Sequence, residues 1–147
     1  MSLADRIHEK LKMMLSLNRP PQVIAMAAAL GIFIGISPYI GLQTYMALLV
    51  SGWFNLPVYP LIVGVYITNP ITIPFIFGLT TKFGLIILGM ENTIHFDWSN
   101  ITFSSLWETG KVLFLPFMVG THVAGILLSI PTYFIVYYLV KKYKNEQ

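Results

Sequence analysis

From Pro20 to Thr81 the chain reads PPQVIAMAAALGIFIGISPYIGLQTYMALLVSGWFNLPVYPLIVGVYITNPITIPFIFGLTT, with no Asp, Glu, Lys or Arg. A helix needs roughly 20 mostly apolar residues to cross a hydrocarbon core, and this stretch exceeds that requirement. It is not one continuous helix. Pro38, Gly41, Pro57, Pro70 and Pro74 punctuate it, because proline removes a backbone donor and glycine reaches conformations closed to other residues. A second uncharged run extends from Val112 to Val140. The pattern predicts an all-α integral membrane protein.

The rest of the composition agrees. Of 147 residues, 56% are hydrophobic and 10% charged, with a mean hydropathy of +0.72. Soluble domains carry about 25% charged residues, so this chain has too few to cover a wetted surface. With no cysteine, disulfides, thiolate metal sites and cysteine nucleophiles are excluded. The net charge of +3 is not gathered on a soluble face, as nucleic-acid binding would require. Arg6, Lys10, Lys12 and Arg19 precede the first apolar run, and Lys141, Lys142 and Lys144 follow the last. The positive-inside rule then predicts both termini on the cytoplasmic side of the membrane, with an even number of complete crossings. About 20 mostly polar residues come first, unlike a cleavable signal with its apolar region of roughly 7–15 residues near the start. A mature, uncleaved chain is expected.

The organisation expected is an interfacial helix over 1–19, a broken-helix membrane core over 20–90, a polar interfacial loop over 91–110, and a transmembrane helix with a basic tail over 111–147. Leu3 to Leu17 places Leu3, Ile7, Leu11, Met14 and Leu15 at helical spacing against charged neighbours, as a helix lying on anionic headgroups does; a solvated helix packed on its own protein is the alternative. Gln22 to Ile36 is rich in small residues, with Gly31 and Gly35 in a G-x-x-x-G spacing that lets a second helix approach. Further helices are expected over about Leu42–Phe54, Val58–Ile67 and from Pro74 to about Met90. The first measures about 22 Å, short of a core of roughly 30 Å. The expected layout is therefore a re-entrant hairpin dipping in from the cytoplasmic side, then a crossing broken near Asn69-Pro70, then a returning helix. Ser105-Leu106-Trp107-Glu108 reads as a capping box opening that last helix. Glu91, Asp97, Trp98 and Trp107 fall in the polar loop.

Helix breaks at membrane depth survive only where protein or water shelters them, and transporters use such breaks as substrate sites. The breaks at Pro38-Gly41 and Pro70-Pro74 bring Ser37, Gln43 and Thr44, and Thr68, Asn69 and Thr72, as uncharged hydrogen-bonding groups for a substrate path. The same groups could instead satisfy the broken backbone and join helices. His122, alone among ionisable groups in the last apolar run, suits a proton relay or a neutral hydrogen bond between helices. Lys82 must reach an interface or line a cavity, because lysine in hydrocarbon costs upwards of about 2.5 kcal/mol. His8 and His95 read as surface residues. No nucleophile elbow, phosphate loop or zinc motif occurs, so no enzyme, catalytic residue, cofactor or metal site is expected.

Gly31-Ile32-Phe33-Ile34-Gly35, Pro38, Gly41-Leu42-Gln43-Thr44, Asn55-Leu56-Pro57, then Asn69-Pro70 with Thr72 and Pro74, together resemble the bacterial family called domain of unknown function 2062, over roughly Pro20 to Gly84. Gly120 and Gly125 resemble its last helix. Members are membrane proteins sometimes fused to glycosyltransferases, which implies work near lipid-linked sugars, with an envelope glycosyltransferase as partner. The paired hairpins also resemble, in architecture alone, DedA-like proteins, which implies lipid-carrier transport. The expectation is a small transporter or flippase for an anionic or polyprenyl-linked amphiphile. The alternative is a scaffold that binds lipid or an envelope enzyme without transport. Small-residue faces and exposed breaks further predict a parallel homo-oligomer, dimer or trimer, in contact with membrane lipid and no nucleic acid.

Overall fold

The structure, a computed structural model, describes residues 3–90, 99 and 101–146; Glu91, His95, Asp97 and Trp98 lie outside them. Among the described residues six helices follow in order: α1 (Leu3–Leu15), α2 (Pro21–Ile36), α3 (Gln43–Phe54), α4 (Val58–Val65), α5 (Ile73–Ile87) and α6 (Phe103–Asn145). There is no strand among the described residues.

Local chemistry sets the boundaries. α2 opens with Pro21 at a position where proline's missing N–H costs nothing. It ends at Ser37, whose backbone is extended (φ −60°, ψ 154°), because Pro38 bars the preceding residue from helical geometry. α3 ends at Asn55, the one non-glycine residue with positive φ (50°) among those described, a conformation that asparagine tolerates at helix ends. α1, α4 and α5 stop short of Leu17, Ile67 and Met90, where the hydropathy pattern ran on. The start of α6 corrects another expectation. Thr102, not Ser105, is the N-cap: its Oγ1 accepts from Ser105 N at 3.4 Å while Ser105 Oγ accepts from Thr102 N at 3.0 Å. Residues 103–110 are therefore helix rather than loop.

Glycines set how the helices cross. A Cβ on Gly31 would strike the Leu61 carbonyl, and one on Gly35 would lie 2.9 Å from the Val65 carbonyl. Residues four apart on one helix thus meet residues four apart, in the same order, on the other, so α2 and α4 run parallel with backbones touching. Gly64 completes the crossing, its Cβ position 2.7 Å from Gly31 C and Ile32 N. α5 crosses α6 the same way but antiparallel: Gly84 abuts the Pro116 carbonyl and Gly120 the Thr80 carbonyl. α6 also runs antiparallel to α2, with Val136 and Val140 packed on Ile24 and Ala25 near one end and Gly125 against the Phe33 ring near the other. α4 and α5 therefore both point away from the start of α2.

α3 folds back instead. Gln43 bonds to carbonyls at the end of α2, and Asn55 Oδ1 accepts from Arg19 Nη2 at 3.3 Å before α2 begins. The C-terminal end of α6 joins that corner, Lys144 Nζ donating to the Leu17 (2.8 Å) and Arg19 (2.6 Å) carbonyls. Met14 of α1 packs there with Val136 and Val140. α6 is the one helix among those described that is long and apolar enough to cross a membrane, and only 22% of its most apolar window is buried within the protein. Elsewhere Trp53 is 87% and Ile71 79% exposed.

Two glycines should respond in opposite directions. Gly120→Ala drives a methyl into the Thr80 carbonyl and should cost about 1–3 kcal/mol, as overpacking does. Gly78→Ala, with nothing within 4 Å of its Cβ, should stabilise by about 0.5–1 kcal/mol through helix propensity. Thermal unfolding in detergent measures both; equal effects would remove the backbone crossing at Gly120.

Candidate functional site: the paired helix breaks

Were α2 to continue, the Gly35 carbonyl would accept from the N–H of residue 39. The break at Pro38 removes that partner. Gln43 Nε2, from the first residue of α3, donates to Gly35 O at 2.9 Å and to Ser37 O at 3.3 Å. Thr68 Oγ1, from the second break, donates to the same Gly35 carbonyl. Gln43, Thr68 and Ser37 are all buried, and Ser37 Oγ turns inward to Ile34 O at 2.6 Å. One freed carbonyl thus joins both breaks.

The second break closes on itself. Asn69 Oδ1 accepts from Ile71 N (2.9 Å) and Thr72 N (3.0 Å), while Thr72 Oγ1 accepts from Asn69 N at 2.9 Å and lies 3.0 Å from Ile67 O. This is an asparagine-led turn feeding a helix N-terminus. The two turns share one pattern. Leu42 N donates to Tyr39 O and Met46 N to Leu42 O; Thr72 N donates to Asn69 O and Ile76 N to Thr72 O. Tyr39 to Asn69 and Leu42 to Thr72 are each an offset of 30, the same as Gly31 to Leu61 and Gly35 to Val65. The breaks are therefore level repeats, with Gly41 supplying the positive φ (85°) of the first.

His122 lies beneath the first break. Its Nδ1 is 2.7 Å from Met118 O, and its ring meets the edges of Phe33 (6.2 Å) and Tyr39 (6.0 Å). A bond to a carbonyl assigns the proton to Nδ1 and leaves Nε2 as an acceptor in the neutral ring. Beside the breaks an apolar groove of about 420 Å³ opens between α5 and α6, lined by Ile36 and Ile67 from the break edges and by Ile76, Thr80, Phe83 and Leu128. Thr80, its polar member, turns its hydroxyl to Phe77 O at 3.2 Å.

Of the residues expected on a substrate path, Gln43 and Thr68 meet at Gly35, and Asn69 and Thr72 form the second turn. Thr44 is exposed beside Gln43, and Pro70 and Pro74 are exposed at the second break. Lys82 is not brought to them: it is exposed on α5, about 13 Å beyond Ile73 at 1.5 Å per residue. Tyr39 and Phe33 escape sequence reasoning, since their link to His122 spans most of the chain. Gln43 carried a signal, a long amide opening the helix directly after a break.

The chain belongs to the family described as uncharacterized protein conserved in bacteria (DUF2062), whose model matches residues 5–147. No curated protein and no solved structure matches the chain.

The shared carbonyl makes a cooperative prediction. Gln43→Leu or Thr68→Val alone leaves Gly35 O one donor and should cost about 0.6–1.7 kcal/mol, as polar contacts between membrane helices do. The double variant leaves it none, so its cost should exceed the sum by about 1 kcal/mol or more, within the penalty for a buried unpaired group. Strict additivity in a thermal or denaturant cycle would contradict the shared acceptor.

Proposed function

For this family member we propose an integral protein of the bacterial cytoplasmic membrane that binds and moves an anionic or polyprenyl-linked amphiphile at its paired breaks. The observation that carries the reading is the adjacency of two level helix breaks and a laterally open apolar groove. A headgroup would meet the N-termini of α3 and α5, which favour negative charge without a buried cation, while the hydrophobic tail lies between α5 and α6.

In the proposed topology α2 and α3 form a re-entrant hairpin, supported by the Arg19–Asn55 bond that returns α3 to the start of α2. α4 and α5 form one broken crossing, and α6 returns. The contacts of Lys144 with Leu17 and Arg19 favour both termini on the cytoplasmic side. Lys82 then has a natural place. It precedes Gly84, which crosses α6 between Pro116 and Gly120, some 31–38 Å along α6 from Lys141. That matches a core of roughly 30 Å, so Lys82 reaches the opposite headgroups. In this topology the breaks end a helix of 16 residues, about 24 Å long, and so fall past the middle of a core of roughly 30 Å. The exposed α3 face of Tyr45, Leu48 and Trp53 suits lipid or a neighbour in a parallel homo-oligomer.

The scaffold reading is favoured by one observation: Ser37, Gln43 and Thr68 bond to the protein's own backbone. Transport and scaffold diverge at Asn69 and the groove. In proteoliposomes, Asn69→Leu and the groove-filling Leu79→Trp should each lower flipping of a fluorescent polyprenyl phosphate at least tenfold, with the oligomer still assembled. Wild-type flipping by both folded variants would remove the breaks and the groove as the path, and no flipping by the unaltered protein would leave the scaffold reading. A monomeric mass in nanodiscs at every concentration would remove the oligomer.

A further inference from the structure

A feature separate from the breaks runs along one stripe of α6. Ile130, Phe134, Tyr138, Lys141 and Asn145 follow one another at spacings of four, four, three and four, which puts them on one helical face. The lower part of that stripe borders an apolar groove of about 300 Å³ between α2 and α6, lined by Met26, Ala29, Leu30, Ile130, Tyr133 and Phe134. The upper part borders a cleft of about 320 Å³ formed by Tyr138, Lys141, Lys142, Asn145 and Glu146. Apolar below and cationic above, the two hollows flank the same stripe, Phe134 lining the first and Tyr138, one turn further on, the second.

Charge and spacing narrow the occupant. Lys141 and Lys142 are exposed, and Lys141 Nζ sits 5.7 Å over the Tyr137 ring. Glu146 shares the cleft, yet among the described residues no carboxylate lies within 4.0 Å of either lysine; the salt bridge found there is Lys111–Glu108, toward the other end of α6. Two cations beside a single carboxylate leave the cleft net positive. From Phe134 to Lys141 is seven residues, about 10 Å of helix, which is the order of the step from a phosphate to the acyl chains beneath it. A zwitterionic lipid would gain nothing from the excess charge, and a soluble anion would gain nothing from the groove. We infer that this face holds one anionic phospholipid, its phosphate on Lys141 and Lys142 and an acyl chain between α2 and α6. The site rests on the membrane reading, but not on transport.

Phosphatidylglycerol and phosphatidylcholine are the probes, offered to the whole chain in mixed micelles and read by native mass spectrometry as lipid retained per protein. Basic residues near an anionic surface contribute about fivefold each, so wild type should prefer phosphatidylglycerol and the Lys141→Gln, Lys142→Gln pair should lower that preference by roughly 25-fold. Met26→Trp, at an exposed residue of the groove wall, should also lower phosphatidylglycerol retention, although it touches no charge. Arg6→Gln with Lys10→Gln, on the α1 helix read as lying on anionic headgroups, should lower the preference by less than the α6 pair does. Three results would overturn the site: equal retention of both lipids by wild type, no effect of Met26→Trp, or a loss with the α1 pair equal to that with the α6 pair. Flotation with phosphatidylcholine vesicles separates this failure from that of the membrane reading: a protein that floats without preferring phosphatidylglycerol lacks only this site.

Discussion

The carbonyl oxygen of Gly35 is the point on which the arrangement turns. Ending α2 at Ser37-Pro38 frees that oxygen at a depth where, in the membrane reading, no water can bond it. Gln43 reaches back from the next helix and Thr68 reaches across from the second break. Each donor fixes a different partner: Gln43 sets where α3 turns back, and Thr68 sets the level at which α4 stops beside α2. A helix break that would be a defect alone becomes the joint between two segments.

That joint depends in turn on missing side chains. Thr68 can approach Gly35 because α4 lies backbone-to-backbone on α2 through Gly31, Gly35 and Gly64, and α5 is held on α6 through Gly84 and Gly120. In the membrane reading lipid leaves no hydrophobic drive between helices, so close packing and polar contacts supply the association. The thirty-residue offset follows from the same geometry. Two parallel helices that touch at Gly31/Leu61 and Gly35/Val65 and break at equivalent turns present their following helices side by side. One of those helices, α3, returns and the other, α5, goes on.

Much of this could be read in the amino acids, and the remainder has identifiable reasons for being hidden. Proline and glycine act locally, so the breaks at Pro38 and Pro70 and the ends of α2 and α3 fall within a residue or two of where the hydropathy and turn signals put them. Gly31 and Gly35 announced a close helix contact, but not with which helix. Thr68 reads as a polar group at a break, yet its partner lies 33 residues away, and no local rule distinguishes a hydroxyl that lines a path from one that closes a backbone. Ser105-x-x-Glu108 satisfies the usual capping-box pattern, but one turn earlier Thr102-x-x-Ser105 does that work with a second hydroxyl in place of a carboxylate. The grooves were invisible to the sequence, since each is made by faces of helices that meet only in the fold.

The central claim is directional: α3 returns to the side from which α2 enters, while α5 carries on to the other. Because the chain has no native cysteine, single-cysteine labelling with a membrane-impermeant reagent reports sidedness without background. Phe54→Cys at the end of α3 and Leu88→Cys just after α5 are both exposed positions. The account predicts that in intact cells Leu88→Cys reacts from the outer side and Phe54→Cys does not, with the order reversed in inside-out vesicles. Both positions reacting from the same side would contradict it, because α4 and α5 would then form a second hairpin rather than one broken crossing.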